Sequence, residues 1–265
     1  MSSDRIQKVL SQWGIASRRH AEVMIQAGRV QINGQTAQLG EKVDPAIDCI
    51  EVDGQVIQFS NRPPLTYLLL NKPMGVLSTC TDPQGRRTVL QLLPAELRSR
   101  QGIHPVGRLD SDSTGALILT NDGTLTQALT HPRYHIAKTY EVWVEGQPDV
   151  TVLQQWQQGV ILEGQKTYPA GVKILQKRKD RTLLQVVLHE GRNRQIRKTA
   201  ALLGHPVIAL HRTAIGALSL TMPNHPNLAL GDYRFLEESE VLSLKRELNL
   251  LSIRATTAVS KENWL

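Results

Sequence analysis

The residues of this 265-residue chain that could do chemistry gather between positions 107 and 123, in GRLDSDSTGALILTNDG. Two carboxylates, Asp110 and Asp112, stand there in a short polar turn just ahead of the strand-forming run ALILT. A bland account makes Asp112, Asn121 and Asp122 turn formers, since short polar side chains bond their own backbone and flank strands. A sharper one notes that Asp110-Ser111-Asp112-Ser113-Thr114 has the DxDxT spacing of a phosphatase that forms an aspartyl phosphate on its first Asp. That chemistry needs a buried apolar strand leading into the first Asp, whereas here the polar stretch 101–108 precedes it and the apolar strand follows. A glycosidase pair would need a carboxylate separation that no sequence fixes. His131 and His135 are four apart, but Pro132 lies between them and no Glu or Cys cluster accompanies them, so no metal site is expected.

Elements must hold these acids in place. The runs YLLLNKP, ALILT, TYEVWVEG, LLQVVLHE and ALSLTM read as strands, with helices at 125–130 and 195–203 and no regular βαβ rhythm. The expected class is therefore α+β with a mainly antiparallel mixed sheet flanked by helices. Ahead of it, Ile6, Val9, Leu10 and Trp13 have helical spacing, and Ser17 reads as the N-cap of a second helix facing inward through Ala21, Met24 and Ile25. Gly28 closes that helix, and Asn33-Gly34 and Asp53-Gly54 read as hairpin turns of a small twisted sheet over 29–59. Asn61-Arg62-Pro63-Pro64 breaks regular structure. The division expected is 1–60 for a small N-terminal domain, 61–64 for a linker and 65–236 for the larger domain. Residues 237–265 follow as a helical stretch, VLSLKREL, and a polar tail expected to be poorly ordered.

Charge points to the partner. The formal net charge is +7, which suits a polyanion, nucleic acid before membrane. Residues 171–200 alone hold nine Lys or Arg against two acids, a net equal to that of the whole chain. Residues 1–35 carry five basic and two acidic side chains and residues 36–60 one basic and five acidic, so one face of the N-terminal unit suits RNA. Two cysteines, Cys49 and Cys80, are too few for a zinc site or a disulfide framework, and a reducing cytoplasm fits them. No run approaches the roughly 20 apolar residues of a membrane span, so no membrane partner is expected.

Ordered motifs narrow this further. Gly107-Arg108-Leu109-Asp110, with Thr114-Gly115 and Leu119-Thr120-Asn121-Asp122-Gly123 behind it, resembles the signature of the bacterial ribosomal RNA pseudouridine synthases of the small-subunit synthase A type. Asn71-Lys72-Pro73-Met74-Gly75 before it, Lys138-Thr139-Tyr140 after it, and Glu190-Gly191-Arg192-Asn193-Arg194-Gln195-Ile196-Arg197 near the end match in order. Ser17-Arg18-Arg19, with Gly28-Arg29-Val30 and Ile32-Asn33-Gly34, resembles the αL RNA-binding motif of a small-subunit ribosomal protein and of tyrosyl-tRNA synthetases. The likeness covers about residues 4–236; Thr199 departs from the apolar residue often found there, and the tail has no counterpart.

The resemblance implies a pseudouridine synthase fold and an isomerisation. The bond from C1′ to N1 of a uridine is cut, the base turns, and it rejoins through C5, with no cofactor and no metal. It makes Asp110 the carboxylate that acts at the sugar, Arg197 the guanidinium that holds that acid ionised and lowers its pKa, and Tyr140 the ring that stacks on the uracil. Arg108 becomes the wedge that fills the place of the extruded base. Lys72, Arg192 and Arg194 would bind phosphates, and Arg18, Arg19 and Arg29 would carry RNA contact in the αL domain. The Arg-Asn-Arg form of the last motif inclines toward a large-subunit target. The expected protein is a cytoplasmic monomer acting on ribosomal RNA or on an assembly intermediate. The runner-up is a ribosome assembly factor that binds RNA without chemistry, and a phosphatase is the third reading.

Overall fold

The computed structural model describes residues 3–58, 63–99, 101–221 and 227–250. The chain opens with β1 (Asp4–Arg5), α1 (Ile6–Gln12) and α2 (Arg18–Gln26). Ser17 caps α2 by accepting the His20 amide at 3.2 Å. Gly28 follows the helix at φ +70, a conformation that strains any residue with a Cβ. Next come β2 (Val30–Ile32), β3 (Gln35–Thr36), β4 (Lys42–Val43), β5 (Ile50–Val52) and β6 (Gln55–Val56). Asn33-Gly34 joins β2 to β3 and Asp53-Gly54 joins β5 to β6, all four turn residues at positive φ as a type I′ turn requires. Ile6, Val9, Leu10, Ala21, Met24, Ile25, Val30 and Ile50 share one small core, so this unit has an interior of its own. Asn61 and Arg62 of the expected linker lie outside the described residues.

The larger unit begins with β7 (Tyr67–Lys72), a short α3 (Ala95–Arg98), β8 (His104–Pro105), β9 (Thr114–Thr120) and α4 (Gly123–Thr130). It continues through β10 (Lys138–Glu145), α5 (Val150–Gln158), the small hairpin β11 (Ile161–Leu162) and β12 (Gln165–Lys166), and the long hairpin β13 (Gly171–Lys177) and β14 (Arg181–Leu188). It ends with α6 (Gln195–Leu202), β15 (Val207–Ile215), β16 (Leu218–Ser219), β17 (Tyr233–Phe235) and α7 (Glu238–Glu247). One nine-stranded sheet runs β13-β14-β10-β15-β9-β7-β17, with β8 on β9 and β16 on β15. Every pairing along it is antiparallel except β15 on β9, where His211 faces Thr114 and Arg212 faces Gly115.

The runs YLLLNK and ALILT are unbroken because β7 and β9 are covered on both faces. Leu68, Leu70, Leu117 and Leu119 pack on one side with Val76 and Val89. Leu69, Ala116 and Ile118 pack on the other, with Leu125 and Leu129 of α4 and Leu244 of α7. The helix after residue 237 is thus part of the larger core rather than an appendage; the polar tail lies outside the described residues. The opposite half of the sheet is one-sided. Val142 and Val144 on β10 and Leu184 and Val186 on β14 alternate inward under Trp156 of α5 and Ile196 and Ala200 of α6.

Candidate active site

The acidic turn is the loop between β8 and β9, and four residues pin its backbone. The Ser78 hydroxyl donates to the Leu109 carbonyl at 2.8 Å and accepts the Leu109 amide at 3.1 Å. The Gly75 amide donates to the Ser111 carbonyl at 2.7 Å. From beneath, the Lys72 ammonium donates to the Ser113 carbonyl at 2.8 Å and to the Pro73 carbonyl at 3.0 Å. From the side, the Arg197 guanidinium donates to the Asp112 carbonyl at 2.7 Å and to the Ser113 hydroxyl at 3.3 Å. A loop held at so many backbone points presents its side chains in fixed directions, which a reacting group requires.

The cations are arranged differently from the expectation. Arg194, not Arg197, reaches Asp110, at 3.2 Å, and the same guanidinium grips Asp112 at 2.7 Å. Arg197 has Asp112 as its ion-pair partner, at 3.4 Å, besides the backbone it holds. Arg194 itself sits at φ +51 just ahead of α6, a left-handed residue that turns the chain into the helix and its side chain toward the loop. Asp112 is consequently more than a turn former: the bonded Arg194, with the charge of Arg197 added, holds its carboxyl below the usual carboxylate range. The Asp110 side chain stays 37% exposed, open to a substrate.

A cleft of about 490 Å³ joins these groups to the rest of the set. Asp110, Arg108, Tyr140, Arg194 and Arg197 all line it. Arg108 is exposed, whereas Tyr140 is 8% exposed, packs in the β10 and β14 core and also lines the cleft. Two of the expected phosphate ligands are committed elsewhere. Lys72 is fully buried on backbone carbonyls, and loss of water pulls its pKa down to about 8, so it braces the loop instead of meeting phosphate. Arg192 gives its guanidinium to Glu190 at 3.0 Å and to the carbonyls of Gln165 and Lys166 at 3.2 and 2.6 Å, tying β12 to the α6 approach. In the N-terminal unit Arg18 and Arg19 are exposed on the first turn of α2, while Arg29 pairs with Asp53 at 2.6 Å.

Several residues of the cleft and of the loop's support carried no signal in the sequence. Tyr168, 46% exposed, stands 5.5 Å from the His135 ring, and both line the cleft. Ser78 looks like any serine until the loop is folded onto it. Arg212, in the middle of β15, is 4% exposed and lines the cleft from its floor.

A partly open carboxylate paired to a guanidinium, sharing a cleft with an aromatic ring in a basic chain, suits an enzyme that works on a polyanion. The comparisons agree. The family model described as RNA pseudouridylate synthase matches residues 66–202, and that of the S4 domain matches residues 4–46. Ribosomal large subunit pseudouridine synthase B of Bacillus subtilis is 41% identical over 245 residues, 91% of this chain and 96% of that one. The Pseudomonas aeruginosa protein of the same name is 36% identical, spanning 93% of this chain and 63% of its own length. A crystal structure of a pseudouridylate synthase superposes with a TM-score of 0.65 at 29% identity, covering 91% of this chain and all of that one. The chain belongs to the RNA pseudouridylate synthase family, with an S4 domain at its N-terminus.

Proposed function

We propose that this protein converts a uridine of large-subunit ribosomal RNA to pseudouridine, with Asp110 as the group that attacks or assists at C1′. One observation carries the reading: the Asp110 carboxylate, bound by Arg194 at 3.2 Å and still part exposed, shares one cleft with Tyr140. A carboxylate so placed can take up the sugar carbon while the base is detached, and the loop contacts of Arg197 and Lys72 keep it in register. Tyr140 offers a ring face to an extruded base, and Arg108 at the exposed edge fills the gap the base leaves. Arg194 opens a second role: its guanidinium is 41% exposed, so an incoming phosphate competes with Asp112 for it. The relatives from two bacteria carry the large-subunit designation in their names and support that target. The exposed Arg18 and Arg19 fit RNA contact by the N-terminal domain, about 1–60, with the body from 65 onward. The chain acts as a cytoplasmic monomer on free RNA or on an assembly particle, and no described helix is long and apolar enough to cross a membrane.

Asp110→Asn tests the reading. The variant should bind ribosomal RNA as wild type does and form no pseudouridine, measured by chromatographic separation of the nucleosides, in which uridine and its isomer of equal mass elute apart, after incubation with the RNA. Full turnover by that variant would remove Asp110 from the chemistry, and wild-type binding with no new pseudouridine would leave an assembly factor.

A further inference from the structure

Arg212 is a buried cation that the assignments above leave unused. Its Nε donates to the Ala116 carbonyl at 2.7 Å, while its Nη2 is sealed from solvent and bonds to nothing in the protein. A buried donor left without a partner is costly, more so on a charged group, and its retention calls for a reason. It is the direct cross-strand neighbour of Tyr140, β15 against β10, which places the two side chains on the same face of the sheet. Both line the cleft. Two further cations share its field: Lys138 on β10 and Lys72 on β7 are each held less basic by burial and by the positive charge of Arg212. Arg212 and Lys138 both line the cleft, so its buried part carries basic groups as well as its exposed edge.

We propose that the Arg212 guanidinium is a subsite for the detached uracil, binding the negative charge that the base carries once its bond to the sugar is broken. The inference rests on the isomerase reading. In the first step the C1′–N1 bond breaks and its electron pair leaves on N1, while an Asp110 oxygen bonds C1′. The base is then an anion with its charge spread over N1, O2 and O4. In the second step C5 of the turned ring bonds C1′, the ester to Asp110 breaks, C5 loses its proton and N1 gains one, so atoms and electrons balance. A carboxylate alone supplies no stabilisation to the departing anion; it repels it. A fixed guanidinium beside the ring that stacks on the base stabilises charge that exists only after bond cleavage, and such a contact lowers the barrier rather than strengthening ground-state binding. The rim cations serve the phosphates, and the floor cation serves the base.

The test compares Arg212→Gln with wild type in single-turnover cleavage of the C1′–N1 bond, on large-subunit RNA transcribed with uridine or with 5-fluorouridine. Fluorine withdraws electrons, so the departing base needs less help. The variant should lose about 100-fold in rate on uridine RNA, as when one donor aimed at developing charge is removed. It should lose ~10-fold or less on 5-fluorouridine RNA, with RNA affinity unchanged. Equal losses on both substrates would mean a structural role, and a loss of affinity with an intact rate would mean a phosphate contact; either overturns the proposal. If Arg212→Gln does not fold, Arg212→Lys keeps the charge at a shifted position and should show a smaller loss with the same dependence on the base. A wild-type enzyme that makes no pseudouridine would instead defeat the isomerase reading itself.

Discussion

A lysine ammonium wholly removed from water needs a strong local reason, and Lys72 finds it in the two carbonyls that it holds under the acidic loop. Burial is the main cause of its lowered pKa, Arg212 adds to it, and Asp112 and Asp110 oppose it. The folded value is about 8 against an ordinary 10.5. Between those values the unfolded chain keeps a proton that the folded chain has shed, so this group makes stability rise with pH across that window and level off above it. Measured by urea unfolding, the stability difference between wild type and Lys72→Met should shift in favour of wild type from pH 8 to 10.5, by up to about 3 kcal/mol. Parallel curves would show that Lys72 does not titrate there. The same residue marks the limit of reading roles from motif position. A Lys in Asn-Lys-Pro looks like a phosphate ligand, and only the burial of β7 on both faces reveals it as a brace. Likewise, spacing could not tell Arg194 from Arg197, three residues apart on one helical approach, because a left-handed residue at 194 decides which of them meets Asp110.

The pairing of β9 with β15 matters most among the elements, since it sets the start of ALILT against Arg212. Gly115 sits at φ +112, and a Cβ there would lie 2.2 Å from the Arg212 carbonyl oxygen and 2.6 Å from its amide nitrogen. Neither atom belongs to a flexible side chain, so the strands themselves would have to part. Gly115→Ala should cost about 3 kcal/mol or more of stability, read as a fall in Tm, and should take catalysis with it by moving both the Asp110 loop and the cleft floor. A stable, active variant would mean that the two strands are not in this register. Thr114-Gly115 was legible in the sequence as part of a motif, but the physical need for glycine was not: it is the close approach of the Arg212 backbone on a strand distant in sequence. That strand itself went unread, because VIALHRTAI mixes His, Arg and Thr among its apolar residues and so shows no clear apolar run. Helix α5 was missed for a related reason: its buried face is essentially one residue, Trp156, too little periodicity to detect. Where the buried positions keep a regular period, as in α2 and the two N-terminal hairpins, pattern and structure agree.

At the scale of the whole molecule, the N-terminal unit has a core separate from the three clusters of the larger unit. The larger one carries the acid, the ring and the cations of the cleft, and the smaller one carries none of them. Its basic side chains are also unequal: Lys8 and Arg29 are paired to Asp4 and Asp53, at 2.7 and 2.6 Å, while Arg18 and Arg19 stand exposed at the start of α2. An exposed guanidinium at a helix N-terminus adds its charge to the positive end of the backbone dipole, a site that attracts phosphate. Reversing both charges, Arg18→Glu with Arg19→Glu, should weaken RNA binding by ~10-fold or more at moderate salt and flatten the dependence of affinity on salt. The rate at saturating RNA should stay at the wild-type value, since neither residue touches the cleft. Single-turnover kinetics over a range of RNA concentrations separates the two quantities. A fall in the saturated rate would mean that the small domain shapes the cleft, and unchanged affinity would shift RNA capture to the basic β13 and β14 hairpin, where Arg178 and Arg181 stack on Trp143 at 4.9 and 5.4 Å.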